Sequence, residues 1–160
     1  MKTKDPIKTL IVIHSYHHNN TLKIANAFAK ILNATIKKAN EVQAEDIRQY
    51  EMIGFGSGID SGKHYLPLLK FAEGLNVENK KPGFIFSTSA VQGEKKVAKD
   101  HLTLRRILMA KGYVVLGEFS CKGFNTNSFL KVFGGMNKGK PDANDFKNAE
   151  RFAESLISRI

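Results

Sequence analysis

The chain has one cysteine in 160 residues, Cys121, which excludes an internal disulfide framework and makes a reducing compartment the default. It has no apolar run long enough to span a bilayer. The apolar segment that follows Lys2, Lys4 and Lys8 is too short for a signal peptide. The expected location is therefore cytoplasmic. Internal repeats and interdomain linkers are also missing, so residues 1–160 read as a single domain, long enough to bury a proper core. Acidic residues are scarce: 15 Asp and Glu face 25 Lys and Arg, a formal net charge of +10. That surplus either attracts acidic partners or forms an ordinary lysine-rich solvated surface. Nucleic acid is disfavoured, because Lys95, Lys96, Lys99, Arg105 and Arg106 lack the interleaved aromatics of a single-strand groove.

Several catalytic signatures are absent as well. The glycine-rich stretch Gly54-Phe-Gly-Ser-Gly58 has Ile59 where a dinucleotide fingerprint needs its third glycine. As a phosphate loop of the Walker type it is one residue short, and His64 stands where Ser or Thr belongs. No nucleophile elbow occurs, Cys121 reads as a packed thiol, and Asp60 alone does not make an acid–base pair. Adjacent His17 and His18 lack an acidic or thiolate partner at ligand spacing, so no metal site is assigned. With few reactive side chains to offer, the chain is better suited to holding a reactive cofactor.

The apolar pattern that is present alternates five strands with four helices. The strands are expected near Thr9–His14, Ala34–Lys38, Tyr50–Ser57, Gly83–Ser87 and Tyr113–Cys121. Helical periodicity follows Leu22, starts again near Pro67, runs up to Gly112, and resumes after Asp142. Strands alternating with helices imply an α/β fold, with a parallel sheet and right-handed crossovers. Lys122–Pro141, rich in Gly, Lys and Asn, is too long for an ordinary connection and reads as a lid, a partner-facing loop or a flexible excursion.

Ligands in such sheets sit outside the carboxyl ends of the strands. Those ends fall here at Ser15–Thr21, Ser57–His64, Thr88–Gly93 and Ser120–Thr126, all polar and on the same side of the sheet. The first carries the strongest signal. A buried strand runs straight into Ser15-Tyr-His-His-Asn-Asn-Thr21 and then into a helix, where free N–H groups and the helix dipole favour an anion such as a phosphate.

The residues Leu10–Thr21, Tyr50–Phe71, Phe84–Gly93 and Gly112–Phe124, continued by Asn137-Lys-Gly-Lys-Pro141, resemble the flavodoxin family. The resemblance covers nearly the whole chain. It implies a flavodoxin-like three-layer sandwich, with a five-stranded parallel sheet of order 2-1-3-4-5, and a bound FMN. Ser15, His17, Asn19, Asn20 and Thr21 match the phosphate loop of the family. Gly58, Ile59, Asp60, Ser61 and Gly62 match the loop along one side of the flavin ring. Ser87, Thr88, Ser89, Ala90 and Gly93 match the loop near its polar edge. Three departures stand out. Tyr16, His17, His18 and Asn19 replace much of the usual Ser/Thr-rich phosphate loop. There is no Trp, so ring stacking falls to a residue such as Tyr16 or Tyr65. The chain is basic where familiar members are acidic.

The implied function is FMN-dependent electron transfer through oxidised, semiquinone and hydroquinone flavin, in a carrier more than a stand-alone enzyme. The expected partners are redox proteins with acidic docking surfaces, and the expected state is a monomer or weak dimer without a membrane span. Two alternatives remain open: an NAD(P)H-dependent flavin or quinone reductase on the same scaffold, and a flavodoxin-like module that has lost FMN.

Overall fold

The computed structural model describes residues 5–124 and 135–160. Five parallel strands form the centre: β1 (Thr9–His14), β2 (Thr35–Lys38), β3 (Met52–Asp60), β5 (Lys81–Ser89) and β6 (Tyr113–Lys122). They lie in the spatial order β2-β1-β3-β5-β6, the order expected for five parallel strands. A sixth, two-residue strand, β4 (Lys63–His64), folds back antiparallel on β3. The helices are α1 (Asn20–Leu32), α2 (Leu66–Glu73), α3 (Glu94–Ala110) and α4 (Ala143–Ile157).

The central strands are apolar on both faces because helices cover both faces. Below the sheet, Ile24, Phe28 and Leu32 of α1 meet Ala149, Ala153 and Leu156 of α4 over Ile11, Ile13, Phe84 and Phe86. On the opposite face Leu68, Ala72, Leu104 and Leu108 of α2 and α3 close over Leu10, Val12, Ile53, Phe55 and Ile85. The second strand is polar and half-exposed, in keeping with its place at the sheet edge.

Two of the glycines in β3 serve packing. Gly54 pairs with Phe84 and Gly56 with Phe86 across the sheet. A Cβ at either glycine would overlap the phenylalanine ring beside it. The freed space is filled by aromatics: Phe28 meets Phe84 and Phe86 edge-on, at 5.7 and 4.9 Å between centroids. The glycine-rich stretch that invited nucleotide motifs is therefore, in its first half, a small-residue stripe under large rings.

The third strand runs past the boundary expected at Ser57. Gly58 pairs with Thr88, and Ile59 and Asp60 pair with His64 and Lys63, so three residues expected in a loop are strand. The turn itself is only Ser61 and Gly62, both at positive φ (51° and 77°). Helix ends follow the expected chemistry. Asp142 caps α4 by accepting from the Asp145 N–H at 3.0 Å, while Asp145 accepts from the Asp142 N–H at 2.8 Å. Gly112, at φ +83°, turns the chain away from α3. Residues 125–134, the middle of the Lys122–Pro141 segment, lie outside the described residues. Among the described residues no helix is long and apolar enough to cross a membrane.

Candidate functional site

At the carboxyl end of the sheet a narrow slot opens between the loops that follow β1, β3, β5 and β6. Tyr16, Asn20 and Thr21 line it from the first loop, and Gly58, Ile59 and Tyr65 from the second. Thr88, Ser89 and Ala90 contribute from the third, Gly123 and Phe124 from the fourth.

The α1 N-terminus is built unusually. His18 and Asn19 both take left-handed backbone conformations, at φ 52° and 53°, which cost energy for residues other than glycine and cluster at functional sites. Asn19, at the cap position, makes no side-chain hydrogen bond to the helix, so the first-turn N–H groups lack the usual cap. Among the described residues only the Leu22 N–H finds a hydroxyl, the Ser15 Oγ, at 3.4 Å. Uncapped N–H groups with the helix dipole behind them form an anion-binding end.

Side chains beside that end are buried and polar. Thr21 Oγ1 and Thr88 Oγ1 share a hydrogen bond of 2.9 Å. Asn20 Nδ2 donates to the Phe124 carbonyl at 2.8 Å, whereas its Oδ1 is a buried acceptor with no donor. A Cβ at Gly123 would come within 3.0 Å of Asn20 Cγ, so the fourth loop needs glycine to close over the first. The Asn137 amide donates to the Ala90 carbonyl at 2.7 Å, tying the later part of the long segment to the third loop. In the second loop the Ser57 hydroxyl donates to the Gly58 carbonyl at 2.7 Å and accepts the Tyr65 N–H at 3.1 Å. This holds the Tyr65 ring against Gly58. The phenol is raised above its ordinary pKa, first by burial and then by Asp60.

Of the residues singled out in the sequence, Asn20, Thr21, Gly58, Ile59, Thr88, Ser89 and Ala90 come together in the slot. Asp60 ends β3 beside it and Ser61 and Gly62 form the exposed turn, where the Ser61 hydroxyl donates to Asp60 Oδ1 at 3.3 Å. His17 and Asn19 belong to the turn before α1, and Gly93 precedes α3. Ser15 lines an adjoining cleft instead of the slot. Ser87 faces the other way.

Ser87 is part of a buried polar cluster on the α3 side of the sheet, which isolated residues in the sequence do not announce. Its hydroxyl lies 2.7 Å from His101 Nε2 and 2.9 Å from Ser120 Oγ. His101 Nδ1 lies 3.3 Å from Glu118 Oε1, a close contact without hydrogen-bond alignment. Burial would raise the Glu118 carboxyl, but His101 and Arg105 beside it hold it below its ordinary range. His64 Nε2 donates to the Phe86 carbonyl at 3.1 Å and its ring lies 5.0 Å from that of His101. Through this cluster β4, and with it the Ser61–Gly62 turn, is anchored to α3. The nearest sequence signal was the polar density around Ser87 itself; the two histidines are 37 positions apart (101 − 64).

The fold has clear counterparts. A solved structure of a flavodoxin from the domain Archaea superposes with a TM-score of 0.68, at 18% identity over 95% of this chain and 97% of that one. Oxidised Flavodoxin 2 from Bacillus cereus gives a TM-score of 0.71, at 16% identity over 96% and 99%. An uncharacterised protein of Methanocaldococcus jannaschii is 44% identical over 151 residues, covering 94% of this chain and 99% of that protein. A flavodoxin domain model matches residues 11–157. The chain belongs to the flavodoxin family.

Proposed function

We propose that the protein binds FMN at this slot and passes electrons between protein partners. The observation that carries the reading is the α1 N-terminus: an uncapped helix start beside Asn20 and Thr21, with the buried Asn20 Oδ1 in need of a donor. A phosphate monoester supplies the anion for the free N–H groups, and a ribityl hydroxyl supplies the donor for Oδ1. Residue types and FMN fit. Ser15, His17, Asn19, Asn20 and Thr21 would hold the phosphate end. Gly58, Ile59, Asp60, Ser61 and Gly62 would flank the ring, with Thr88, Ser89, Ala90 and Gly93 toward its polar edge and Ser87 turned away into the His101 cluster.

The enclosed part of the slot is only about 40 Å³, far less than a tricyclic ring needs. Tyr16 (71% exposed) and Tyr65, which both line the slot, are the aromatic side chains that would contact the ring. Bound FMN would supply the redox chemistry that the side chains of this site lack. The chain's own contribution is position and electrostatics: Ser57 fixes the Gly58 peptide, the His64–His101 cluster holds the turn behind it, and the net charge of +10 favours acidic redox partners.

The absorbance spectrum of freshly purified protein tests the reading, since oxidised flavin gives bands near roughly 370 and 450 nm. FMN uptake by the colourless protein, read by fluorescence quenching, is the companion result. No yellow colour and no uptake would leave a module without flavin. Steady consumption of NAD(P)H with an added acceptor, in the absence of any reductase, would make it an enzyme.

A further inference from the structure

A second opening lies on the α2 side of β1, where the carboxyl ends of β1 and β2 part company with the start of α2. It is a cleft of about 620 Å³ that shares no lining residue with the slot. Its walls divide by chemistry. Phe71, Pro67 and Ala39 contribute apolar surface, while Lys38, Lys70, His14, Ser15 and Asn40 contribute polar atoms.

Charge around the cleft is one-sided. Among the described residues no carboxylate lines it. Glu41 is the nearest acid in sequence, and its carboxylate accepts from the backbone N–H of Lys38 at 3.1 Å, leaving the ammonium group unengaged. Among the described residues neither Lys38 nor Lys70 has a side-chain hydrogen bond or ion pair, although four other lysines (Lys30, Lys81, Lys96, Lys140) are paired. His14 is half-buried, and burial holds its imidazole below its ordinary pKa, so at neutral pH it offers one N–H and one acceptor nitrogen.

We propose that this cleft binds a small organic anion, an apolar ring or short chain carrying a carboxylate or phosphate, with the body on Phe71 and Pro67 and the anionic group between Lys38 and Lys70. A size of several hundred Å³, apolar walls and a few convergent polar groups are what small-molecule sites have in common. Occupancy would also be felt next door. His14 meets the Tyr65 ring edge-on at 5.6 Å, and Tyr65 lines the slot. The proposal stands whether or not the slot holds FMN.

The test is a backbone-amide NMR titration of the whole protein with benzoate and with phenyl phosphate. Benzyl alcohol serves as the body without the charge, and inorganic phosphate as the charge without the body. The expected result is saturable shifts confined to residues 13–15, 38–40 and 65–71 with benzoate or phenyl phosphate, and none with either control. Carboxylate and phosphate recognition separate by which of the two charged probes binds more tightly. Lys38→Gln with Lys70→Gln, which leaves the core untouched, should weaken that binding by roughly fivefold, the combined effect of two exposed charge contacts. Lys111→Gln, a basic residue after α3, should leave it unchanged.

Four results would overturn the proposal. One is no saturable shift up to the solubility of the probes. Another is equal binding of benzyl alcohol or inorganic phosphate. A third is equal weakening by Lys111→Gln, which would mean diffuse charge attraction. The last is displacement of the probe by FMN, which would assign the anion to the slot and leave the flavin reading intact.

Discussion

Thr21 and Thr88 share a buried hydroxyl–hydroxyl hydrogen bond of 2.9 Å, although 67 residues separate them. The bond joins the first turn of α1 to the end of β5, so two loops of the slot are fixed to each other without a ligand. Thr21→Val strands the Thr88 hydroxyl, which is 5% exposed, at a cost of about 1–3 kcal/mol. Removing both hydroxyls, in Thr21→Val with Thr88→Val, should recover most of that loss. Urea unfolding of the two singles and the double checks the coupling; additive losses would mean that the bond is not formed.

Gly54→Ala or Gly56→Ala drives a methyl group into the ring of Phe84 or Phe86. Overpacking of this kind costs about 1–3 kcal/mol, which lowers Tm by about 2–4 °C per kcal/mol in a chain of this size. Pairing Gly56→Ala with Phe86→Leu makes room and should restore part of the loss. Thermal denaturation followed by circular dichroism reads the difference.

The His64–His101 pair makes stability depend on pH. Burial, and then the neighbouring His101, push the His64 imidazole down to about 3. In the unfolded chain it titrates near 6.5, so below that pH the unfolded state binds a proton that the folded state refuses. The stabilisation is therefore complete above about pH 6.5 and declines as pH falls toward the folded value, by at most about 1.4 kcal/mol per pH unit. His64→Gln keeps a donor for the Phe86 carbonyl and does not titrate. It should flatten the fall in unfolding free energy between about pH 6.5 and 5, a window above most carboxylate titrations. An unchanged slope would place the pH dependence elsewhere.

Cys121 is 6% exposed, and burial, with Asp145 adding to it, pushes its thiol up to about 12. The reactive thiolate is thus scarce in the folded protein at pH 8. Alkylation by iodoacetamide should be slow natively and become fast once urea unfolds the chain. Equal rates in the two states would contradict the packed-thiol reading.

The strands and both helical layers were legible because their signals are dense: Leu10–Ile13 is apolar throughout, and Ile24, Phe28 and Leu32 recur at helical spacing; the strand order came only with the resemblance to the flavodoxin family. The polar clusters at strand ends also pointed to the face where the slot lies. Two features were hidden. The packing role of Gly54 and Gly56 did not show, because a sequence does not reveal that Phe84 and Phe86 lie beside them. Ser87 entered the expected site by its match to the family's third loop, yet strand alternation turns successive side chains to opposite faces, so its hydroxyl meets His101 and not the slot. His64 and His101 escaped notice for the same reason: each is a lone histidine until the fold stacks them.

The central claim is that an anion sits at the uncapped start of α1 as the phosphate of FMN. Parallel fluorescence-quenching titrations of the colourless protein with FMN and with riboflavin test it, because the two ligands differ only in that phosphate. The account predicts tighter binding of FMN, by tenfold or more as expected for about 1.4 kcal/mol or more of phosphate contacts. Equal affinities, or no binding of either flavin, would contradict it.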